Sequence, residues 1–354
     1  MRNHRGLKQL TIALTLVLTV GCSTAGGLQV ETPSATAPTA VAAPLTPIAL
    51  SSEQLLATIP IEGGELATLV IGEEAVWVRS AANGKIYRID PQSNSVVDTI
   101  TTSSRGWGLA VQDDALWAPN TLSDEVHRID LQSGEVIATI PAGDFPAEMA
   151  ISRGAVWVNT PDMDAGVTGG VWRIDPILNM VVAAIPVTEV EGRAGAGLAA
   201  TTDALWTTTI GGTLGNRRGM LVRIDPQTNE IVTTIPIRGM WCNSIVANEE
   251  AIWLACSFGP HPGVIERVDP RTNELVATLE LDAMPWDVAI GPDAVWALTQ
   301  DNDLLRIDLE SNQIVEQLDL GDEILYESGA LEIDEEGTLW IINEAEQALW
   351  RIKP

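Results

Sequence analysis

Residues 75–100 read AVWVRSAANGKIYRIDPQSNSVVDTI. Three pieces follow one another: a small–aliphatic–Trp tripeptide ending at Trp77, the strand end Arg88-Ile89-Asp90, and the β-branched run Val96–Ile100. Between the last two lies the turn Pro91-Gln92-Ser93-Asn94. Asp opens such a turn by accepting bonds from the backbone that follows it. Pro presets the next φ, and Asn or Gly takes the left-handed position.

The same grammar returns along the whole chain. The tripeptide also ends at Trp117, Trp157, Trp206, Trp253 and Trp296, and, as Thr-Leu-Trp, at Trp340. Ten to 17 residues after each Trp stands Arg-Ile-Asp or a close variant, starting at Arg88, Arg128, Arg173, Arg223, Arg267 and Arg306, with Arg351-Ile352-Lys353 last. Periods of 40–49 residues, each with four short strand-like runs, predict an all-β, seven-bladed β-propeller of four-stranded antiparallel blades. The last repeat stops at Pro354 after its third strand, while Leu55–Ile61 looks like a fourth strand without a blade. The N-terminal strand is therefore expected to pair with Leu349–Ile352 and close the ring, which removes an open sheet edge. The repeated Trp side chains are expected between blades. Arg and Asp, two apart on one strand face, are expected to pair as ions.

Composition narrows the function classes. The 354 residues carry 48 acids against 20 Lys and Arg, a formal charge of −28, which argues against nucleic acid as a partner. Residues 1–21 show the layout of a signal peptide: Arg2, Arg5 and Lys8, then the apolar run Leu10–Val20. Its removal takes three cations and no acid, leaving −31. Leu18-Thr19-Val20-Gly21-Cys22 resembles a bacterial lipobox, which implies lipidation at Cys22. Residues 22–53, rich in Ser, Thr, Ala and Pro, read as a flexible tether, and 54–354 as the propeller. The expectation is an exported monomer, lipid-anchored to the cell membrane or outer membrane and facing the extracytoplasmic space.

Over residues 55–354 the repeats resemble the YVTN/NHL-like superfamily of bacterial propellers, with streptogramin (virginiamycin B) lyase-type repeats among the nearest kin. The resemblance implies the fold, whereas the superfamily includes both binding proteins and enzymes. Its lyases and lactonases hold a metal at the channel mouth with a His or carboxylate base. Here no His stands in a first strand, and His261, on a loop, is the candidate base. Glu148, Asp287 and Glu327 are candidate ligands for Ca²⁺ or Mg²⁺, which prefer oxygen donors. No cofactor is required by the sequence.

Two regions can carry binding. Long loops of blades three to five hold Arg193, Arg217 and Arg218, cations able to meet an acidic ligand group. At the channel mouth Trp107, Trp241 and Trp286 interrupt the aliphatic pattern of first strands, and with carboxylates nearby they suit a small molecule, a glycan or an envelope protein; the alternative is that they plug the channel. The lead reading is a binding module acting through the loop face of blades 3–5. The alternative is a divalent-metal-dependent carbon–oxygen lyase or lactonase. Cys242 and Cys256 flank a hairpin in blade five, and direct pairing across it requires a three-residue loop. A disulfide is permitted in an exported protein, and two buried thiols are the alternative.

Overall fold

The computed structural model describes residues 39–41, 45–103, 105–161, 169–187, 193–210, 219–258, 262–321 and 330–354. Among them there is no helix; the chain forms seven blades, each a four-stranded antiparallel meander, arranged as a seven-bladed β-propeller. The innermost strands are Leu66–Ile71, Ala110–Gln112, Met149–Ser152, Arg193–Ala200, Trp241–Ala247, Pro285–Ile290 and Leu331–Ile333, in blades one to seven.

Closure follows the expected route. Leu55–Pro60 runs antiparallel to Ala348–Ile352 and supplies the fourth strand of blade seven, with Ile59 opposite Leu349. The segment read as a tether is partly built into the ring. Thr39–Val41 lies parallel to the outer strand of blade five (Glu274–Leu281), and Ile48–Ala49 lies parallel to that of blade six (Ile314–Asp319). Each adds a fifth strand and covers an edge that would otherwise offer unpaired backbone groups.

The seven repeated Trp side chains are at most 4% exposed, and each fills one inter-blade seam. Trp77 packs with Leu116 and Ala118 of blade two, and Trp340 packs with Val76 and Val78 of blade one, so the last seam matches the first.

The Arg-Ile-Asp strands end in the expected turns. Asp90 accepts from the Gln92 N–H at 2.8 Å, and Asp225 from the Gln227 N–H at 2.6 Å. The left-handed position is taken by Asn94, Gly134, Asn179, Asn229, Asn273 and Asn312. The expected Arg–Asp ion pair does not form among the described residues. In six blades the guanidinium lies over the Trp ring of its own blade, 5.0–5.9 Å from the centroid. It also reaches the next blade: Arg128 donates to the Pro176 carbonyl at 2.6 Å and to Asn179 Oδ1 at 3.1 Å, and Arg223, Arg267 and Arg351 repeat the pattern. The Asp is committed to its own turn, and the turn Asn of the next blade supplies the acceptor. Arg306 faces blade seven, whose third and fourth strands, Ala348–Ile352 and Leu55–Pro60, are not consecutive and so have no such turn between them, and it pairs with Asp293 at 3.0 Å instead.

One bulge recurs on the fourth strand of every blade. Beside each repeated Arg the register slips by one, leaving Leu56, Val97, Ile137, Val182, Val232, Val276 and Val315 unpaired. Val276 is half-buried and the other six side chains are exposed. In the five blades where the fourth strand is the outer edge, the bulge bends it and makes it a poorer template for pairing with another chain.

Candidate functional site

The innermost strands meet around a cavity of about 640 Å³, within the range of small-molecule sites. Two levels of the wall follow from the register. Directly opposite the repeated Trp stand Val70, Ala110, Ala150, Ala199, Val246 and Ala289 in blades one to six, and Glu332 in blade seven. Two residues earlier in the sequence come Thr68, Gly108, Glu148, Gly197, Ser244, Asp287 and Ala330. All of these but Gly108, Ala110 and Ala289 line the cavity, and at these two levels its wall is small and apolar except for three carboxyl groups and two hydroxyls.

Bulges open the mouth. In blades one, five and six the register slips around Ala67, Asn243 and Trp286, and each of these unpaired residues lines the cavity. A bulge re-aims a side chain that a regular strand would send elsewhere. The same device forms the disulfide. Asn248 and Ala251 close the hairpin of blade five through a 2.9 Å backbone bond, leaving a two-residue loop rather than the expected three. That loop alone would misalign the two cysteines. The bulge at Asn243 resets the register, so Cys242 faces Cys256 and the two are bonded.

Aromatic side chains gather at the mouth. Trp107 is 43% and Trp241 40% exposed, Trp286 is half-buried, and Phe145 lies with its ring centroid 5.6 Å from that of Trp107. All four line the cavity. Pro161, the root of the long blade-three loop, lines it too.

The acids are half-buried by area, and what they face is the cavity rather than open solvent. Glu148 is pushed up to about 7 by burial first, then by the charge of Asp287, against the pull of Arg79. Asp287 is pushed up to about 6 by burial, although Ser244 and the N–H groups of Leu331 and Val288, both at 2.8 Å, donate to it. Glu332 is pushed up to about 8 by burial and by the charges of Asp287 and Glu148. No hydrogen bond reaches the carboxyl groups of Glu148 or Glu332 from the described residues. Arg79 stands behind the wall, fully buried, donating to the carbonyls of Trp107 (3.2 Å), Gly108 (2.8 Å) and Pro119 (2.6 Å). Burial lowers it to about 9, with Glu148 opposing, so it is cationic at neutral pH.

Of the residues singled out in the sequence, the structure brings Trp107, Trp241, Trp286, Glu148 and Asp287 together. Two charged residues just before the innermost strands of blades one and two, Glu65 and Arg105, are exposed and do not line the cavity. Arg193 opens the innermost strand of blade four. Arg217, Arg218, His261, Glu327 and Cys22 lie outside the described residues. Glu332, Ser244 and Arg79 were missed. Glu332 had a signal, an acid in a slot that is Ala or Val in six blades. It was masked because Glu332 precedes its Trp by eight residues rather than seven. Among the described residues no group of three or more His, Cys, Asp or Glu side chains could hold a metal ion.

Fold and site together define a seven-bladed propeller whose channel mouth is an aromatic-rimmed, acid-lined cavity. Residues 64–162 match a family model described as a repeat of unknown function, DUF6923, covering blade one to the second strand of blade three. Among solved structures the chain is similar to hydrazine synthase of Kuenenia stuttgartiensis, at 14% identity and TM-score 0.69 over 83% of this chain and 97% of that one. Similarity at that level concerns the fold alone. No curated protein matches the sequence.

Proposed function

We propose that this protein is an exported, lipid-tethered binding module that holds a small ligand at the mouth of its channel. The observation that carries this reading is the cavity of about 640 Å³ in which exposed Trp side chains and half-buried carboxyl groups meet. Exposed Trp faces bind flat or ring-shaped groups by area, and a few polar groups then fix orientation. Bulges at three innermost strands and a disulfide beside Trp241 hold the mouth in shape, which lowers the ordering cost of binding. The lipobox-like segment at Cys22 and the signal-like residues 1–21 support export and tethering. Within propellers we place the repeats with the YVTN/NHL-like kind, on the strength of their Trp and Arg-Ile-Asp spacing.

A thermal-shift screen of small molecules tests the site. A ligand at roughly 100 times its Kd adds about 2.7 kcal/mol, worth several degrees in a domain of this size. The shift is expected in the native protein and not in Trp107→Ala/Trp241→Ala. A hit that shifts both equally moves the site away from the channel. Cys22→Ala is expected to release the protein from the membrane fraction; retention there argues against the lipid anchor.

A further inference from the structure

Resting on the reading of the channel as a ligand site, we propose that its ligand is an organic cation: an ammonium group carried on a flat or ring-shaped body. The body lies against Trp107 and Trp241, and the charge is met by Asp287, Glu148 and Glu332.

Three observations lead there. First, among the described residues every charged group on the cavity wall is an acid: Glu148 from blade three, Asp287 from blade six and Glu332 from blade seven. At the corresponding positions the innermost strands of blades one, two, four and five hold only Thr, Ser, Gly, Ala and Val, so these positions add no further charge. Second, the cation behind the wall is sealed off. Arg79 is committed to three backbone carbonyls and offsets at most one of the three acids. The carboxyl groups of Glu148 and Glu332 accept nothing from the described residues, so their acceptor capacity is turned to the cavity. Third, the exposed faces of Trp107 and Trp241 attract cations through the ring quadrupole, most strongly where water is excluded. The formal charge of −28 draws cations toward the protein from a distance and repels anions.

The chemistry of the acids adds a second expectation. Burial, and for Glu148 and Glu332 the charge of Asp287 as well, raises the three acids to about 7, 6 and 8 for Glu148, Asp287 and Glu332, and no cation stands beside them on the wall. A bound ammonium supplies that cation, favours the carboxylates, and drives off a proton. Affinity therefore rises with pH through the range from about 6 to about 8, where the three acids ionise. Arg79, at about 9, keeps its charge through that range.

The test is calorimetric titration of the full-length protein with benzyltrimethylammonium, whose charge is independent of pH, alongside the neutral 2-phenylethanol and the anionic phenylacetate. The cation is expected to bind, with affinity rising about tenfold per pH unit while one proton is released. Asp287→Asn/Glu332→Gln is expected to cut that affinity by more than about tenfold, the effect of losing one such charge contact. The same variant relieves repulsion among the acids, so its melting temperature at pH 8 must equal or exceed the native one, which separates lost binding from lost folding. If 2-phenylethanol binds as tightly as the cation, and the double variant is unchanged, the cation class is wrong while the channel site stands. If no probe binds, or binding survives Trp107→Ala/Trp241→Ala, the channel reading and the cation fall together.

Discussion

Glu332 stands directly opposite Trp340 across the innermost hairpin of blade seven, in the slot that Val70 and Ala110 fill opposite Trp77 and Trp117. A slot that is Ala or Val in the other six blades has been given to a carboxyl group facing the cavity, and the group is held unfavourably. Burial and two neighbouring acids raise it to about 8, so its stabilising contribution is complete below the unfolded-state pKa, near 4.3, and is lost as pH rises through its folded value.

Stability of the ligand-free propeller is accordingly expected to fall between about pH 5 and pH 8. Glu332→Gln should raise Tm at pH 8 by at least about 4 °C, on the scale of 2–4 °C per kcal/mol, and leave Tm at pH 5 nearly unchanged. Calorimetric scans at the two pH values check this. An equal change at both would mean that the variant acts through packing and that Glu332 is not a strained acid.

Arg351 donates to the Pro91 carbonyl at 2.6 Å and to Asn94 Oδ1 at 3.1 Å, so it fastens the last blade to the first. Asn94 also sits at φ 49°. Asn94→Gly keeps the left-handed backbone and loses the acceptor, at a cost of about 1–3 kcal/mol for a hydrogen bond to a charged group. Asn94→Ala adds backbone strain and should be worse. Melting temperatures in the order native, Gly, Ala are expected; Ala at or above Gly would remove the conformational part of the argument.

The Cys242–Cys256 bond closes a short loop across a sequence separation of 14 and ties down the strand that carries Trp241 and the Asn243 bulge. A loop of that size is worth about 3 kcal/mol in the chain-entropy account. Cys242→Ser/Cys256→Ser is expected to lower Tm by about 6–12 °C. The native protein and the variant should also differ in the thermal shift produced by a channel ligand, because the bulge loses its clamp.

The Trp residues should divide into two classes. Trp253→Ala removes a seam residue that is fully buried and should cost about 3–5 kcal/mol. Trp107→Ala, at 43% exposure, should leave Tm within about 2 °C and abolish ligand-dependent shifts. Equal destabilisation by both would make Trp107 a channel plug.

Repetition made the fold legible. Seven Trp tripeptides, the Asp-to-Asn turns and the unmatched strand at Leu55 each record a local physical demand repeated often enough to be seen once aligned. The disulfide was reached through the wrong loop length, because a bulge leaves no mark in composition and changes register silently. The Arg–Asp pairing failed for a related reason: a shared strand face says what two side chains could touch, and the turn amides and the next blade's Asn proved the better partners. The site was legible only where it broke the pattern conspicuously, as at Trp241 or Asp287. Arg79 follows Trp77 by two residues, where the other blades hold Pro119, Asn159, Thr208, Ala255, Leu298 and Ile342. That lone cation in the blade was as informative as the Trp residues, but its meaning depends on Glu148, which only the closed ring brings near it.

The most direct measurement is a crystal structure of the protein soaked with benzyltrimethylammonium at pH 8. The account places the ligand at the channel mouth, with its nitrogen within about 6 Å of a Trp107 or Trp241 ring centroid and beside the carboxyl groups of Asp287 and Glu332. A channel holding only water, with the ligand elsewhere or absent at saturating concentration, would contradict it.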